Sequence, residues 1–213
     1  MKRYRIPAQR TRTEILVVNS RFITTAQPAF NVEEAKAFIH EMKQEFADAS
    51  HNVPAFLIGY GPSVTAHCSD DGEPSGTAGR PALAVLQGSD LGDIVVVVTR
   101  YFGGTKLGTG GLVRAYTDAV KSVLENLPLA EKVPTHTVMM VVPYPLFEQT
   151  RLLVQKYGGQ TLDEDFGADV TITVQFFAEK LSPFNAELSE LSRGSIQAEI
   201  IESNPETIMP LGK

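Results

Sequence analysis

Between residues 70 and 116, two glycine-rich stretches flank a short run of β-branched residues, and this segment constrains the fold more than any other. The run, residues 94–98, is Ile-Val-Val-Val-Val. An unbroken apolar sequence of this kind is typical of a strand that is covered on both faces. The glycine-rich stretches, residues 70–81 and 103–111, each lead into a segment with helical periodicity. The pattern predicts a central strand flanked by two glycine loops, each followed by a helix.

Glycine clusters have three common causes: unusual backbone angles, close packing, or a ligand that approaches the backbone. Free N–H groups at the start of a helix attract anions, so an anion or nucleotide site is one interpretation. Tight turns at the ends of a sheet are the other, and the shape of the pattern alone favours them. Neither loop matches a standard phosphate fingerprint. Lys106 is followed by Leu107 rather than by Ser or Thr, and Val113 stands where a dinucleotide fingerprint needs its third glycine.

Two long motifs carry a resemblance to the Impact/YigZ family. They are Asp-Asp-Gly-Glu-Pro-Ser-Gly-Thr-Ala-Gly-Arg-Pro, residues 70–81, and Val-Val-Thr-Arg-Tyr-Phe-Gly-Gly-Thr-Lys-Leu-Gly-Thr-Gly-Gly-Leu-Val-Arg-Ala-Tyr, residues 97–116. The resemblance covers about residues 15–125, and a second domain of the bacterial type covers the rest. It implies an α+β protein, with an N-terminal domain like domain 2 of ribosomal protein S5 and a C-terminal ferredoxin-like domain resembling parts of elongation factor G. Eukaryotic members of the family regulate translation through a protein-kinase pathway, using an additional N-terminal domain that has no counterpart in this sequence.

The second half of the chain predicts a ferredoxin-like fold without reference to the family, because its predicted strands and helices follow the order β-α-β-β-α-β. Residues 127–134, Leu-Pro-Leu-Ala-Glu-Lys-Val-Pro, are interpreted as a linker, which predicts domains at 1–128 and 134–213. The charge balance changes at the same place. Residues 1–124 contain 13 Lys and Arg against 12 Asp and Glu, whereas residues 125–213 contain 6 against 13. We therefore expect any contact with nucleic acid in the first domain.

The remaining elements follow from periodicity and capping residues. Asn31 is predicted to cap the first helix, with Glu34 in the capping-box position. The basic residues 1–12 are interpreted as a solvated tail, with a nucleic-acid-binding arm as the alternative. Strands are predicted at residues 14–18, 21–25, 55–60, 94–98, 135–142, 161–165, 170–177 and 195–202, with a turn at 52–54. Helices are predicted from residue 32, at 78–86, from 112, at 145–157 and at 183–192.

The acidic and histidine residues near the first glycine loop do not form a recognised metal or catalytic motif. The spacing of His67, Asp70, Asp71 and Glu73 matches neither a zinc site nor an EF-hand. The aspartates are favoured in turns or helix caps, where a carboxylate accepts nearby backbone N–H groups. Cys68 is alone, so no intramolecular disulfide is possible. We predict no catalytic residue, no metal and no cofactor. The absence of a signal-peptide or membrane-spanning pattern favours a cytoplasmic protein.

The positive and hydroxyl groups of the glycine loops form a more coherent set. They are predicted to make one anion-binding surface for a phosphate or an RNA backbone. Its residues are Arg80, Arg100, Lys106, Arg114, Ser75, Thr77, Gly76, Gly103, Gly104 and Gly110. The alternative is that Arg80 and Arg100 pair with Asp70, Asp71 or Glu73 and tie the loops together. Arginine suits both roles, so the sequence leaves both open.

Two functions are compatible with these features. The first is a regulatory or binding module that contacts RNA, the ribosome or other translation machinery, with a protein partner alone as a variant. The second is an enzyme or binding protein for a small phosphorylated ligand in the glycine-loop cleft. The sequence shows no nucleophile paired with a base, so the first is favoured and enzymatic activity is left open. Membranes are not expected among the partners.

Overall fold

The computed structural model describes residues 3–210, which divide into two compact units, mainly Tyr4–Glu131 and Lys132–Met209. Helices and antiparallel strands occur in both units, which confirms the α+β prediction. The strands are β1 (Tyr4–Pro7), β2 (Thr11–Val17), β3 (Ser20–Pro28), β4 (His51–Ile58), β5 (Thr65–Cys68), β6 (Ile94–Tyr101), β7 (Leu129–Val142), β8 (Gln160–Phe166), β9 (Val170–Phe177) and β10 (Glu199–Pro210). The helices are α1 (Val32–Glu45), α2 (Gly79–Gln87), α3 (Gly108–Glu125), α4 (Tyr144–Lys156) and α5 (Ala178–Ser192).

The first unit is built on a five-stranded sheet with the order β2-β3-β6-β4-β5. Strand β6 lies at its centre, and residues 94–98 are completely buried. Val95 and Val97 pack in the core under α1, whereas Ile94, Val96 and Val98 pack in the core under α2 and α3. Alternate residues of one strand therefore feed two cores, as expected for a strand covered on both faces. This confirms the prediction for the β-branched run.

Helix α1 begins as the capping residues predict. The Asn31 side chain accepts a hydrogen bond from the Glu34 N–H at 2.8 Å, and the Glu34 carboxylate accepts one from the Phe30 N–H at 2.8 Å. Both bonds satisfy backbone donors that the helix itself leaves unpaired. The apolar stripe of α1, with Phe38 and Met42 fully covered, packs on β4 and β6.

The turn predicted at residues 52–54 is wrong, because these residues belong to β4. Pro54 is a turn signal in the sequence, yet it pairs with Val97 inside the sheet. On the other side of β4, pairing with β5 begins only at Ala55. The position next to the end of β5 tolerates a residue that has no N–H to donate, as proline requires.

The basic N-terminal segment is structured over residues 4–7 and 11–12, which lie in β1 and β2, so the tail predicted there is wrong; Met1 and Lys2 lie outside the described residues. Arg10 forms an ion pair with Glu41 at 2.6 Å, and Arg12 forms one with Glu45 at the same distance. Because α1 supplies both carboxylates, these arginines hold the edge of the sheet against the helix.

The second unit has the strand order β10-β7-β9-β8, which in chain order is 4-1-3-2. With α4 and α5 packed against β9, this is the predicted ferredoxin-like arrangement. Three local predictions are wrong. Helix α5 begins at Ala178, so Pro183 lies inside it rather than at its start. The last strand runs through residues 199–210 rather than 195–202.

The third correction concerns residues 127–134, which do not form a loop-like linker. They enter β7 at Leu129, and Ala130 and Val133 are buried. The division between the two units falls within this strand, so the two prolines that suggest a linker lie just before and inside regular structure. The domain boundaries 1–128 and 134–213 remain a prediction about independent folding. Within residues 3–210, no helix is both long and apolar enough to cross a membrane.

Candidate anion-binding surface at the glycine loops

The first glycine loop is saturated by its own aspartate. The Asp70 carboxylate accepts hydrogen bonds from the N–H groups of Gly76 at 2.8 Å, Ala78 at 3.1 Å and Gly79 at 2.8 Å. These donors lie at and just before the start of α2, where an external anion would otherwise bind. The predicted place of Gly76 on the anion-binding surface is wrong for its N–H group, because Asp70 already accepts that hydrogen bond. An internal carboxylate occupies the position that a phosphate would need.

The ionisation of Asp70 matches this role. Burial alone would raise the pKa of Asp70, but the hydrogen bonds from Gly76, Gly79 and Ala78 outweigh it and hold the pKa below its ordinary value. The neighbouring thiol responds in the opposite direction. Burial, together with the negative charge of Asp70, raises the pKa of Cys68. A protonated thiol is a poor nucleophile, so nothing here favours cysteine chemistry.

Glu73 and Arg100 form a buried ion pair beneath the loops. Their side chains are only 3% and 5% exposed, and Arg100 Nη1 donates to Glu73 Oε1 at 2.6 Å. The Tyr116 hydroxyl donates to the same oxygen at 2.8 Å, while Glu73 Oε2 lies 3.8 Å from His51 Nε2. Burial, reinforced by the Glu73 charge, raises the pKa of Tyr116. Placing Arg100 on the anion-binding surface is therefore wrong, and the alternative of a structural pair with Glu73 is correct for this residue.

The buried pair also connects the two loops. Arg100 Nη2 donates to the Ser20 hydroxyl at 3.3 Å, and the Gly103 N–H donates to the same oxygen. Gly103 packs so closely on the β2–β3 turn that an added Cβ would lie 2.0 Å from the Asn19 carbonyl oxygen. The chain from Glu73 through Arg100 and Ser20 to Gly103 thus joins the first loop to the second.

The second glycine loop remains open to an external anion. Its last residues are helical, because α3 begins at Gly108, so the loop prediction through residue 111 is wrong. No side chain among residues 3–210 caps this helix, and an added Cβ at Gly110 would meet nothing within 4 Å. The first N–H groups of a helix have no partner within it, and the dipole favours negative charge at that end. The start of α3 is therefore the better anion site of the two.

Two of the predicted cations lie near this helix start. Lys106 precedes α3 by two residues. Arg114 lies about 9 Å from Gly108, the first residue of α3, along the helix axis. Both side chains are exposed, and no carboxylate among residues 3–210 forms an ion pair with either of them. Asp118, four residues after Arg114, does not pair with it. The two cations near the start of α3 are thus not neutralised by an ion pair within the described residues.

The other predicted site residues divide between surface and interior. Ser75 and Gly104 are exposed, and Gly104 has a φ of +83°, which glycine adopts readily. Thr77 is buried, and its hydroxyl donates to the Pro74 carbonyl oxygen at 2.6 Å. Arg80 is exposed, has no ion pair within the described part of the chain, and lines a groove between α2 and α3.

Sequence reasoning missed the roles of Tyr116 and Lys121. Tyr116 fits the apolar face of α3, and only its hydroxyl, a polar group at a fully buried position, indicated a carboxylate partner. Lys121 reads as an ordinary surface lysine, yet it lines the same groove as Arg80. His51 is oriented by a hydrogen bond between its Nδ1 and the Asp71 carbonyl oxygen at 2.8 Å. No group of three or more His, Cys, Asp or Glu residues in the described segment is arranged to hold a metal ion.

Comparison with known proteins shows which family has a sequence like that of this chain. A family model described as the Impact N-terminal domain matches residues 18–124, and one described as a domain of unknown function matches residues 140–195. The IMPACT family member YigZ of Escherichia coli strain K12 is 39% identical over 203 residues, which cover 95% of this chain and 100% of YigZ. This chain belongs to the IMPACT family. An IMPACT family member of Haemophilus influenzae is 37% identical over 95% of this chain and 98% of its own length.

More distant and structural relatives agree with this assignment. A eukaryotic member, Protein IMPACT of Xenopus laevis, is 32% identical over 93 residues, which cover 42% of this chain and 29% of the frog protein. A crystal structure described only as that of a hypothetical protein shares 38% identity with this IMPACT-family chain. It covers 95% of this chain and 98% of its own, with a TM-score of 0.61. The relationship therefore extends over both units.

Proposed function

We propose that this IMPACT-family protein is a translation-associated binding protein that contacts RNA or the ribosome through the start of α3. One observation carries the proposal: the uncapped start of α3 has Lys106 two residues before it and Arg114 in the second helical turn, and neither side chain has an ion-pair partner among residues 3–210. Helix starts and unpaired basic groups are the features that bind a phosphate backbone. The regulation of translation by eukaryotic members, which the family resemblance implies, supports RNA or ribosomes as the source of that phosphate.

The distribution of charge favours this end of the chain. Residues 1–124 are close to neutral with a slight positive excess, and residues 125–213 carry more than twice as many acidic as basic groups. An acidic surface repels a polyanion, so contacts with RNA belong to the first unit. The first glycine loop contributes little, because Asp70 already neutralises the start of α2.

The proposal predicts a change in the salt dependence of RNA affinity. RNA affinity is measured across a salt series for the wild type, Lys106→Ala and Arg114→Ala. Loss of one phosphate-contacting charge should weaken binding and reduce the slope of log affinity against log salt by about one unit. Lys36→Ala is the matched control, because Lys36 is exposed on α1, on the opposite face of the sheet. The proposal fails if the wild type binds no RNA at low salt, or if both variants match it throughout.

A small phosphorylated ligand at the same helix start is the second candidate, and the same uncapped N–H groups favour it. The protein is titrated with inorganic phosphate or a nucleoside monophosphate while its backbone amide NMR shifts are measured, and the result distinguishes a small ligand from RNA. Shifts confined to residues 106–111 at millimolar ligand, without RNA binding, would favour the small ligand over RNA.

A further inference from the structure

The groove between α2 and α3 has the features of a second binding surface, separate from the start of α3. Its volume is about 780 Å³, and apolar side chains supply most of its walls. Helix α2 contributes Pro81, Ala84 and Val85, and α3 contributes Val113 and Leu124. Val113 is 38% exposed, which leaves an apolar strip of the groove open to solvent.

Two cations lie beside this apolar floor. Arg80 and Lys121 both line the groove, both are exposed, and neither has an ion pair with any carboxylate in residues 3–210. Glu125, at the end of α3, is the acidic residue among the groove-lining side chains, so the lining carries a net positive charge. An occupant that complements this surface has an apolar face and negative charges beside it.

We propose that the groove binds an acidic amphipathic helix of a partner protein. The groove-lining residues of α3 extend from Val113 to Glu125, a distance of about 18 Å along the helix axis, or a little over three helical turns. A helix bound in a groove presents apolar residues at i, i+3, i+4 and i+7, which fits this length. Ala84 on α2 and Gly88, just after its end, lack large side chains, so a third helix can approach closely.

Other occupants fit less well. An extended peptide adds to a sheet through backbone hydrogen bonds, and the walls here are helices whose backbone groups are already paired. Small-molecule sites bury most of their ligand, whereas many residues that line this groove, including Arg80, Ala84 and Lys121, are exposed. This proposal does not depend on RNA binding at the start of α3.

The test is a selection of helical peptides displayed on phage, with the full-length protein as bait and Ala84→Trp as the counter-selection bait. The tryptophan fills the groove at an exposed position. We expect enriched peptides with an apolar stripe at helical spacing flanked by Asp or Glu. A synthetic copy of one such peptide should bind the double variant Arg80→Glu, Lys121→Glu at least about tenfold more weakly than the wild type.

Two control variants and a check of folding accompany this test. Lys36→Glu, on the other face of the sheet, and Lys106→Ala, at the start of α3, should both leave peptide affinity within about twofold of the wild type. Far-UV circular dichroism checks that each variant is folded. The proposal is overturned if no peptide is enriched over the Ala84→Trp bait, if enriched peptides lack acidic residues, or if the double reversal leaves affinity unchanged. Dodecanoate tests a small amphipathic anion as the occupant. If the wild type binds dodecanoate and no peptide, and the Arg80→Glu, Lys121→Glu variant binds dodecanoate more weakly, the proposal is also overturned.

Discussion

Asp70 shows how a single side chain separates two loops that look alike in the sequence. Both loops are rich in glycine and precede helices, and both were predicted to attract anions. One of them holds an internal carboxylate on three N–H groups, and the other has no side-chain cap. The predicted role of the aspartates in turns or helix caps is confirmed for Asp70, but its partners could not be predicted, because Asp70 lies nine residues before Gly79. No local capping rule predicts a hydrogen bond over that separation.

Removing the Asp70 carboxylate should destabilise the first unit. We expect Asp70→Asn to lower the free energy of unfolding by about 2 kcal/mol at neutral pH, because the backbone donors at and just before the start of α2 lose a charged acceptor. The pKa of Asp70 is held below its ordinary value, so its contribution is present in full above about pH 4. The contribution should disappear as the pH falls from there through the lower pKa of the folded state.

Urea unfolding of the wild type and Asp70→Asn between pH 7 and pH 2 measures this difference directly. Asp118→Asn is the control, because Asp118 is exposed and makes no ion pair within the described residues. It should change the free energy of unfolding by less than about 0.5 kcal/mol. A gap between wild type and Asp70→Asn that stays constant down to pH 2 would contradict the role assigned to Asp70.

Two glycines of the second loop and the helix that follows, Gly103 and Gly110, differ in the space available for a side chain. An added Cβ at Gly103 would lie 2.0 Å from the Asn19 carbonyl oxygen and 2.6 Å from the Ser20 nitrogen, whereas one at Gly110 would meet open space. Gly110 lies in the first turn of α3. We therefore expect Gly103→Ala to destabilise the protein by about 3 kcal/mol, as overpacking against backbone does. Gly110→Ala should be neutral or stabilising by up to about 1 kcal/mol.

Thermal and urea unfolding of the two glycine variants checks this prediction, with the wild type as reference. Equal destabilisation by both would mean that Gly110 is also required for packing. Stabilisation by Gly103→Ala would contradict the close contact between the second loop and the β2–β3 turn.

The elements that could be predicted are those whose signal is local. The β-branched run of β6, the Asn31 cap and the strand-helix order of the second unit all depend on neighbouring residues, and all three predictions are confirmed. The incorrect predictions for Pro54 and Arg100 involve partners distant in the sequence. Pro54 lies within a strand because β5 ends beside it, and Arg100 points inward because Glu73 and Ser20 lie beneath the loops. Spacing along the chain does not contain that information.

For the molecule as a whole, the change from charge balance to acidity occurs near the division between the two units. Each unit contains its own apolar core, and the division falls inside β7 rather than in a flexible segment. Leu127 is buried in the core of the first unit and Leu129 packs against it partly buried, so both belong with that unit. A cut at Pro128 would remove part of that packing, which the predicted boundary at 128 does not take into account.

A fragment of residues 1–131 should therefore fold alone in one cooperative transition. A second fragment that ends at Leu124 serves as the control, since it lacks Leu127 and the first residues of β7. We expect it to unfold at lower urea concentration, because buried apolar surface is lost. Circular dichroism during urea unfolding measures both transitions. A broad, non-cooperative transition in the 1–131 fragment would show that this unit needs the rest of the chain.

The chain of contacts from Glu73 through Arg100 and Ser20 to Gly103 has a consequence for recognition. Flexible loops lose conformational entropy when they become ordered on binding a partner, and that loss weakens the complex. Here the buried pair already holds Glu73 of the first loop and, through Ser20, Gly103 of the second loop in the folded protein. A partner would meet a surface whose shape is fixed in advance, so little of its contact energy would be consumed in arranging that surface.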